Sequence, residues 1–255
     1  MAGQASSAPL RLEELVWRGD RLAAPASPGR STGYAALDAV LPGEGWPVGA
    51  LTELLLPHAG VGELSLLLPL LRHIPTGRWG VCIAPPALPY APALAAAGVP
   101  LGRLLVVQAD TPAHARWACR QALDSRSCEL VILWLADADM AALRRLQLAA
   151  EESATPVILI RPEACASQPS PAVLRLALAA RPGGLQIRLL KRRGPLLAAP
   201  VELELPWDAP GGRPDQPRAS QAAAAPSPSS VIVSHALVRP RPARSGPAGL
   251  HAGAR

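Results

Sequence analysis

Eight residues, Pro57, His58, Ala59, Gly60, Val61, Gly62, Glu63 and Leu64, lie between one apolar stretch and the next. An apolar strand, a glycine-bearing turn and an apolar helix are the setting of a phosphate-binding loop. A working loop of that kind reads G-x-x-x-x-G-K-[ST]: the lysine charges the β/γ-phosphate site and the hydroxyl binds Mg²⁺. Here Glu63 stands in the lysine slot and Leu64 in the hydroxyl slot. Two unit charges ~4 Å apart interact by roughly 4 kcal/mol at an effective dielectric of about 20. Exchanging attraction for repulsion swings binding by up to roughly 8 kcal/mol, about the whole worth of a micromolar site. Ordinary ATP affinity should be erased, and no cofactor is expected. Gly60 and Gly62 read instead as tight-turn residues between strand and helix. Glu63 reads as a carboxylate favoured by the helix N-terminus.

Other residues that carry chemistry elsewhere have simpler readings here. His58 reads as an exposed loop residue. Asp137 and Asp139 suggest paired carboxylates, but their place after an apolar strand fits helix capping and dipole stabilisation better. The four cysteines, at 82, 119, 128 and 165, form no C-x-x-C and no zinc spacing. They are expected to be buried free thiols, and no metal is expected. Trp79, Trp117 and Trp134 fall in or beside core elements, where packing is the expected role.

These residues are positioned by a βα alternation. Strands are expected at Ala50–Leu56, Gly80–Ala84, Leu104–Gln108, Leu130–Leu135 and Pro156–Arg161. Helices are expected at Gly62–Arg72, which Pro69 should kink, and at Pro89–Ala97. Two more are expected at Thr111–Asp124, with Thr111 as N-cap and Pro112 in the first turn, and at Asp139–Glu152. "LVILWL" is apolar throughout, as a strand buried on both faces must be. Alternation of this kind implies a mostly parallel sheet. Two strands around the Pro182-Gly183-Gly184 turn and a third in "APVELELP" then add antiparallel edge strands.

The chain has 255 residues, 49% apolar, with no Phe, so the core must be filled by Leu, Val, Ala and Ile. Residues 1–30 read as an N-terminal helix ("LRLEELVW", Leu10–Trp17) and a linker, 31–205 as the core, and 206–255 as a disordered Pro/Ala/Arg-rich tail. Net charge is +6, and the tail's six Arg against two Asp hold four of it. The near-neutral remainder argues against a broad nucleic-acid platform. Neither a signal peptide nor a membrane span is expected, which points to the cytoplasm.

The order of landmarks resembles the RecA/RAD51 recombinase core over roughly residues 10–205. "STGYAALDAVLPGEGWPVGALTELLLP" is similar to the segment leading into that family's P-loop. "CIAPPALPYAPALAAAGVPLGRLLVVQADT" is similar to the next βαβ unit, and "LVILWLADAD" falls at the Walker B strand. More narrowly, "LPGEGWPVGALTELL", "GVGEL", "RLQLAAE" and "QPSPAVLRLAL…LLKRRG" resemble ImuA, a family of bacterial RecA-like accessory proteins of SOS-induced translesion synthesis. The resemblance implies a RecA-like α/β core whose Walker B Asp is replaced by Trp134 and whose water-activating Glu falls near Pro86. It also implies two DNA-gripping loops, but the short Leu135–Met140 link leaves no room for the first. "RPEACASQPSPAV" is a compact stand-in for the second, without the aromatic and basic residues of a stacking groove. Direct DNA binding should be weak or absent, and the chain should not be an enzyme.

What remains is interaction. Three segments are candidates: the N-terminal helix with Leu12, Leu15 and Trp17; the basic strand end Lys191, Arg192 and Arg193; and the tail patch Val231, Ile232 and Val233, a strand-addition motif beside arginines. By resemblance the basic end would lie where one RecA-type subunit reaches the nucleotide of its neighbour. The chain would then cap a RecA-like filament instead of extending it. The partners implied are an ImuB-like Y-family adaptor and an error-prone C-family DNA polymerase, with RecA as a further candidate. The alternatives are a SulA-like SOS inhibitor of cell division and a nucleotide hydrolase with a remodelled loop.

Overall fold

The computed structural model describes residues 28–205. The N-terminal helix at Leu10–Trp17 and the tail from 206, with Val231–Val233, lie outside the described residues. The elements run β1 (Leu51–Leu56), β2 (Trp79–Ile83), β3 (Leu104–Val107), β4 (Cys128–Trp134), β5 (Val157–Pro162), β6 (Leu174–Arg181), β7 (Gly184–Lys191) and β8 (Val201–Glu204). Helices are α1 (Ala35–Asp38), α2 (Glu63–Arg72), α3 (Ala91–Ala96), α4 (Pro112–Asp124) and α5 (Met140–Ser153). The strands form one eight-stranded sheet in the order β3-β2-β4-β5-β1-β6-β7-β8. All pairings up to β1–β6 are parallel; β6–β7 and β7–β8 are antiparallel. This is the α/β class expected from the sequence, a mostly parallel sheet with antiparallel C-terminal edge strands.

Why the central strands read as unbroken apolar runs is clear from their two faces. Leu54, Leu56, Ile132, Ile158 and Ile160 join Leu66, Leu67, Leu70 and Leu71 of α2 in one core layer. Their neighbours Leu51, Val131, Leu133, Val157 and Leu159 join Ala115, Cys119 and Leu123 of α4 and Leu143, Leu146 and Ala150 of α5 in the other. Alternate side chains of one strand thus serve opposite layers. Burying each Leu or Ile side chain is worth ~1.5–3 kcal/mol. Without Phe, the bulkiest fully buried side chain is Trp46. Pro69 sits inside α2.

The helix starts follow their caps. Thr111 Oγ1 accepts the His114 N–H at 3.1 Å and Pro112 occupies the first turn. Asp139 Oδ1 accepts the Ala142 N–H at 2.6 Å, so this aspartate caps α5, while Asp137 is exposed. All four cysteines are free and buried. Burial pushes the Cys82 and Cys119 thiols up to about 12 and raises that of Cys128.

Two tryptophans correct the expectation of core packing. Trp79 is 44% exposed and Trp117 is 65% exposed. Strand and helix membership placed them correctly along the chain, but Trp117 lies on the solvent face of α4, two residues from buried Ala115 and Cys119. Leu148 on α5 is also exposed. Arg120 and Glu152 form a cross-helix ion pair at 3.5 Å. Trp117 stands about one turn before Arg120 on α4, and Leu148 about one turn before Glu152 on α5. The sheet edges differ as well. Edge strand β8 carries exposed Glu202 and Glu204, charges that discourage edge-to-edge pairing. Edge strand β3, "LLVV", carries no charge and leaves Leu105 exposed.

Candidate functional site

The site begins where β1 ends. The chain leaves Leu56, turns through Pro57–Gly62 and enters α2 at Glu63. Two positive-φ glycines make the turn: Gly60 at +84° and Gly62 at +115°. A Cβ on Gly62 would also press on Leu205 and Leu185 at 3.2 and 3.3 Å. The loop therefore needs glycine at 62 both for its backbone and for its contact with the sheet.

Two of the loop's N–H groups face Glu63. Gly60 N–H donates to Glu63 Oε1 at 2.9 Å, and Gly62 N–H donates to Glu63 Oε2 at 3.1 Å. The residue is buried, 5% exposed. Backbone N–H groups converging at a helix N-terminus make a ready anion cradle. This cradle holds a carboxylate of its own chain. Glu63 thus does more than favour the helix dipole: it is the anion the loop binds. Leu64 in the next slot is half-buried.

The remaining slots meet at the carboxyl ends of the parallel strands, where open α/β sheets commonly bind ligands. A cavity of about 340 Å³ is lined there by Pro57, His58, Ala59, Pro86, Trp134 and Arg161, among others. The fold therefore brings Trp134 and Pro86 together beside the loop. Trp134 Nε1 and Arg161 Nε are buried and have no hydrogen-bond partner among the described residues. His58 is exposed, with Nδ1 3.0 Å from the Ala59 carbonyl.

Beneath this cavity lies a buried charge cluster that the motif reading did not single out. Glu53 on β1 is fully buried between Arg161 on β5 and Arg175 on β6. Glu53 Oε2 accepts from Arg175 Nε at 2.7 Å, and Oε1 accepts from Ser170 Oγ at 2.7 Å and from Arg161 Nη1 at 3.5 Å. Arg175 also donates to the carbonyls of Cys165, Ala166 and Gln168 at 2.8–3.1 Å. It thereby pins the Pro-rich segment after β5 as a 3₁₀ turn, Glu163–Ser167. The signal was present in sequence: three apolar strands carry a charged residue inside their run, Glu53, Arg161 and Arg175. Such charges, inside strands buried on both faces, must find one another.

The basic strand end is partly engaged. Lys191 Nζ donates to the Ser170 carbonyl at 2.8 Å, and Arg192 donates to the carbonyls of Pro195 and Val40. Arg193 is exposed and lines a separate hollow with Gln147 and Glu151. Because β7 runs antiparallel to β6, this end lies across the sheet from the loop. Between β4 and α5 only residues 135–139 intervene. Among the described residues no group of His, Cys, Asp and Glu could hold a metal ion, and no helix is long and apolar enough to cross a membrane.

No family model matches the chain, and no curated protein matches it. Among solved structures, it is similar to SulA from Pseudomonas aeruginosa at 31% identity. That match covers 44% of this chain and 97% of that one, with a TM-score of 0.38.

Proposed function

We propose that the protein is a non-catalytic RecA-like accessory factor of SOS-induced DNA damage tolerance, acting in translesion synthesis as a scaffold. In this reading it joins an ImuB-like Y-family adaptor to an error-prone C-family DNA polymerase, in the cytoplasm, with RecA as a further partner. The observation that carries the non-catalytic part is the Glu63 carboxylate held by the Gly60 and Gly62 N–H groups. A nucleotide phosphate would have to displace a covalently tethered anion and then meet no lysine. Trp134 and Pro86 beside the loop offer neither a metal ligand nor a base. The translesion part rests on the ImuA-like segments quoted above.

Interaction surfaces support a scaffold. Trp117 and Leu148 on the α4/α5 face and the uncharged β3 edge are apolar and solvent-exposed. Tryptophan is the residue type most enriched at interface hot spots, and an open strand edge suits strand addition. The test is affinity purification of the tagged protein from cells with and without DNA damage. Recovery of the adaptor and the polymerase together, reduced at least tenfold by Trp117→Ala, is expected. Recovery of a cell-division protein in their place, or of neither after damage, contradicts the reading.

A further inference from the structure

Helices α4 and α5 cover the same face of the sheet. Ala115, Cys119 and Leu123 of the first pack into one core layer with Leu143, Leu146 and Ala150 of the second. Each helix returns the chain from the carboxyl end of one parallel strand to the amino end of the next, so their N-terminal ends point the same way. Arg120 Nη2 joins them at Glu152 Oε2, 3.5 Å away. Trp117 stands three residues before Arg120 and Leu148 four before Glu152, each about one helical turn. Both of these large apolar side chains are exposed, Leu148 by 55%.

The two helices carry four arginines and three carboxylates: Arg116, Arg120 and Asp124 on α4, and Arg144, Arg145, Glu151 and Glu152 on α5. All three carboxylates are engaged. Asp124 and Glu152 share Arg120, at 2.8 and 3.5 Å, and Glu151 accepts from Gln147 Nε2 at 2.6 Å. Arg116, Arg144 and Arg145 reach no carboxylate among the described residues. Arg144 and Arg145 are exposed and lie four and three residues before Leu148, while Arg116 adjoins Trp117 in the chain. Helix stability gives no reason for this placing. Arg116 and Arg120 are like charges at i,i+4, and no acid stands one turn from Arg144 or Arg145 in either direction. The unanswered charge beside Trp117 and Leu148 is therefore positive. We infer that this face receives an acidic amphipathic segment of a protein partner, its apolar side chains on Trp117 and Leu148 and its carboxylates on Arg116, Arg144 and Arg145.

The chemistry selects against the neighbouring possibilities. Tryptophan and arginine are among the residue types most enriched where proteins meet. A basic segment would bring like charge onto three arginines that lack a partner, and like-charge juxtaposition is what suppresses wrong partners. A nucleic acid draws its affinity from many phosphate contacts, and here three carboxylates stand among the arginines. It would also stack successive bases on successive aromatics, and Trp117 is the one aromatic of these two helices. The inference deepens the scaffold reading and rests on it for the partner's being a protein. It names the chemical class of that partner's docking segment.

The experiment is a selection of random peptides of about 16 residues, roughly four helical turns, displayed on phage and captured by the immobilised full chain. Three baits are compared: the native protein, Arg144→Glu with Arg145→Glu, and Trp117→Ser. All of these substitutions fall on exposed side chains, and an unchanged melting temperature shows that each bait is folded. The native bait should enrich peptides in which Asp or Glu accompanies Leu, Phe or Trp at helical spacing. The charge-reversed bait should lose those peptides and enrich basic ones in their place. The affinity of a selected peptide, read by fluorescence anisotropy, should fall at least tenfold with either variant. If such peptides are selected while the adaptor and polymerase are not recovered from cells, the docking surface stands and the translesion partners fall. Basic or uncharged peptides from the native bait, no enrichment at all, or a selected set that charge reversal leaves unchanged overturns the proposal. So does a single-stranded oligothymidylate that binds the native chain more tightly than the selected peptide and is lost with the same variants.

Discussion

Glu53 and Glu63 lie ten residues apart in one βα unit, both buried, the first inside β1 and the second at the start of α2. Glu53 is answered by charge: two guanidinium groups and a hydroxyl from three separate chain segments. Glu63 is answered only by backbone, two N–H groups of its own loop. The first ties β5, β1 and β6 together beneath the surface. The second fills a cradle whose geometry suits a guest. A buried carboxylate can therefore be a structural bolt or a resident ligand, and its partners tell which. One fold keeps the first and uses the second to close a site.

Removing each carboxylate separates the roles. Glu53→Ala strands two buried arginines and should cost ~3–5 kcal/mol, the usual price of breaking a buried pair. Urea unfolding reads it directly, and a loss under 1 kcal/mol would show that solvent reaches the cluster. Glu63→Ala leaves two loop N–H groups unsatisfied and should cost about 1–3 kcal/mol. Its distinguishing mark is a gain: the emptied cradle should bind sulfate or phosphate at millimolar concentration, where the wild type does not. Glu63→Lys with Leu64→Thr should bind a nucleotide better yet still show no turnover, because Trp134 and Pro86 are unchanged.

The core thiols give a pH signature that neither carboxylate shares. The Cys82 and Cys119 thiols are pushed up to about 12 by burial, from an ordinary 9.0. Their folded pKa is raised, so the native state holds protons that the unfolded chain releases. Stability is thus full below pH 9 and falls as pH rises from 9 toward 12, by up to about 1.4 kcal/mol per thiol per pH unit. Thermal melts from pH 8 to 11 should show the fall, and Cys82→Ala with Cys119→Ala should flatten it. The smallest effect is expected at the surface. Trp117→Ser should leave stability within ~0.5 kcal/mol, since the side chain is already in water. A larger loss would mean that Trp117 packs against a part of the chain outside the described residues.

The sheet was legible because its signals are local. "LVILWL" has no polar residue to turn outward, and Thr111 and Asp139 stand where a helix needs an N-cap. The exposed Trp117 was not legible: an aromatic at helical spacing looks the same inward or outward until the neighbouring helix fixes which stripe is covered. The candidate site was half legible. Glu63 in a lysine slot gave the expectation of no nucleotide binding, but not that the carboxylate would turn back onto Gly60 and Gly62. The Glu53–Arg161–Arg175 cluster joins residues more than a hundred positions apart. Only strand order, which places β1 between β5 and β6, brings them together.

The closed cradle is tested most directly by calorimetric titration of the full chain with Mg·ATP. Saturation of the loop by Glu63 predicts no saturable heat up to millimolar nucleotide, with or without single-stranded DNA. Saturable binding in the micromolar range that disappears in Gly62→Val would contradict it, because the loop would then be receiving a phosphate despite its own carboxylate.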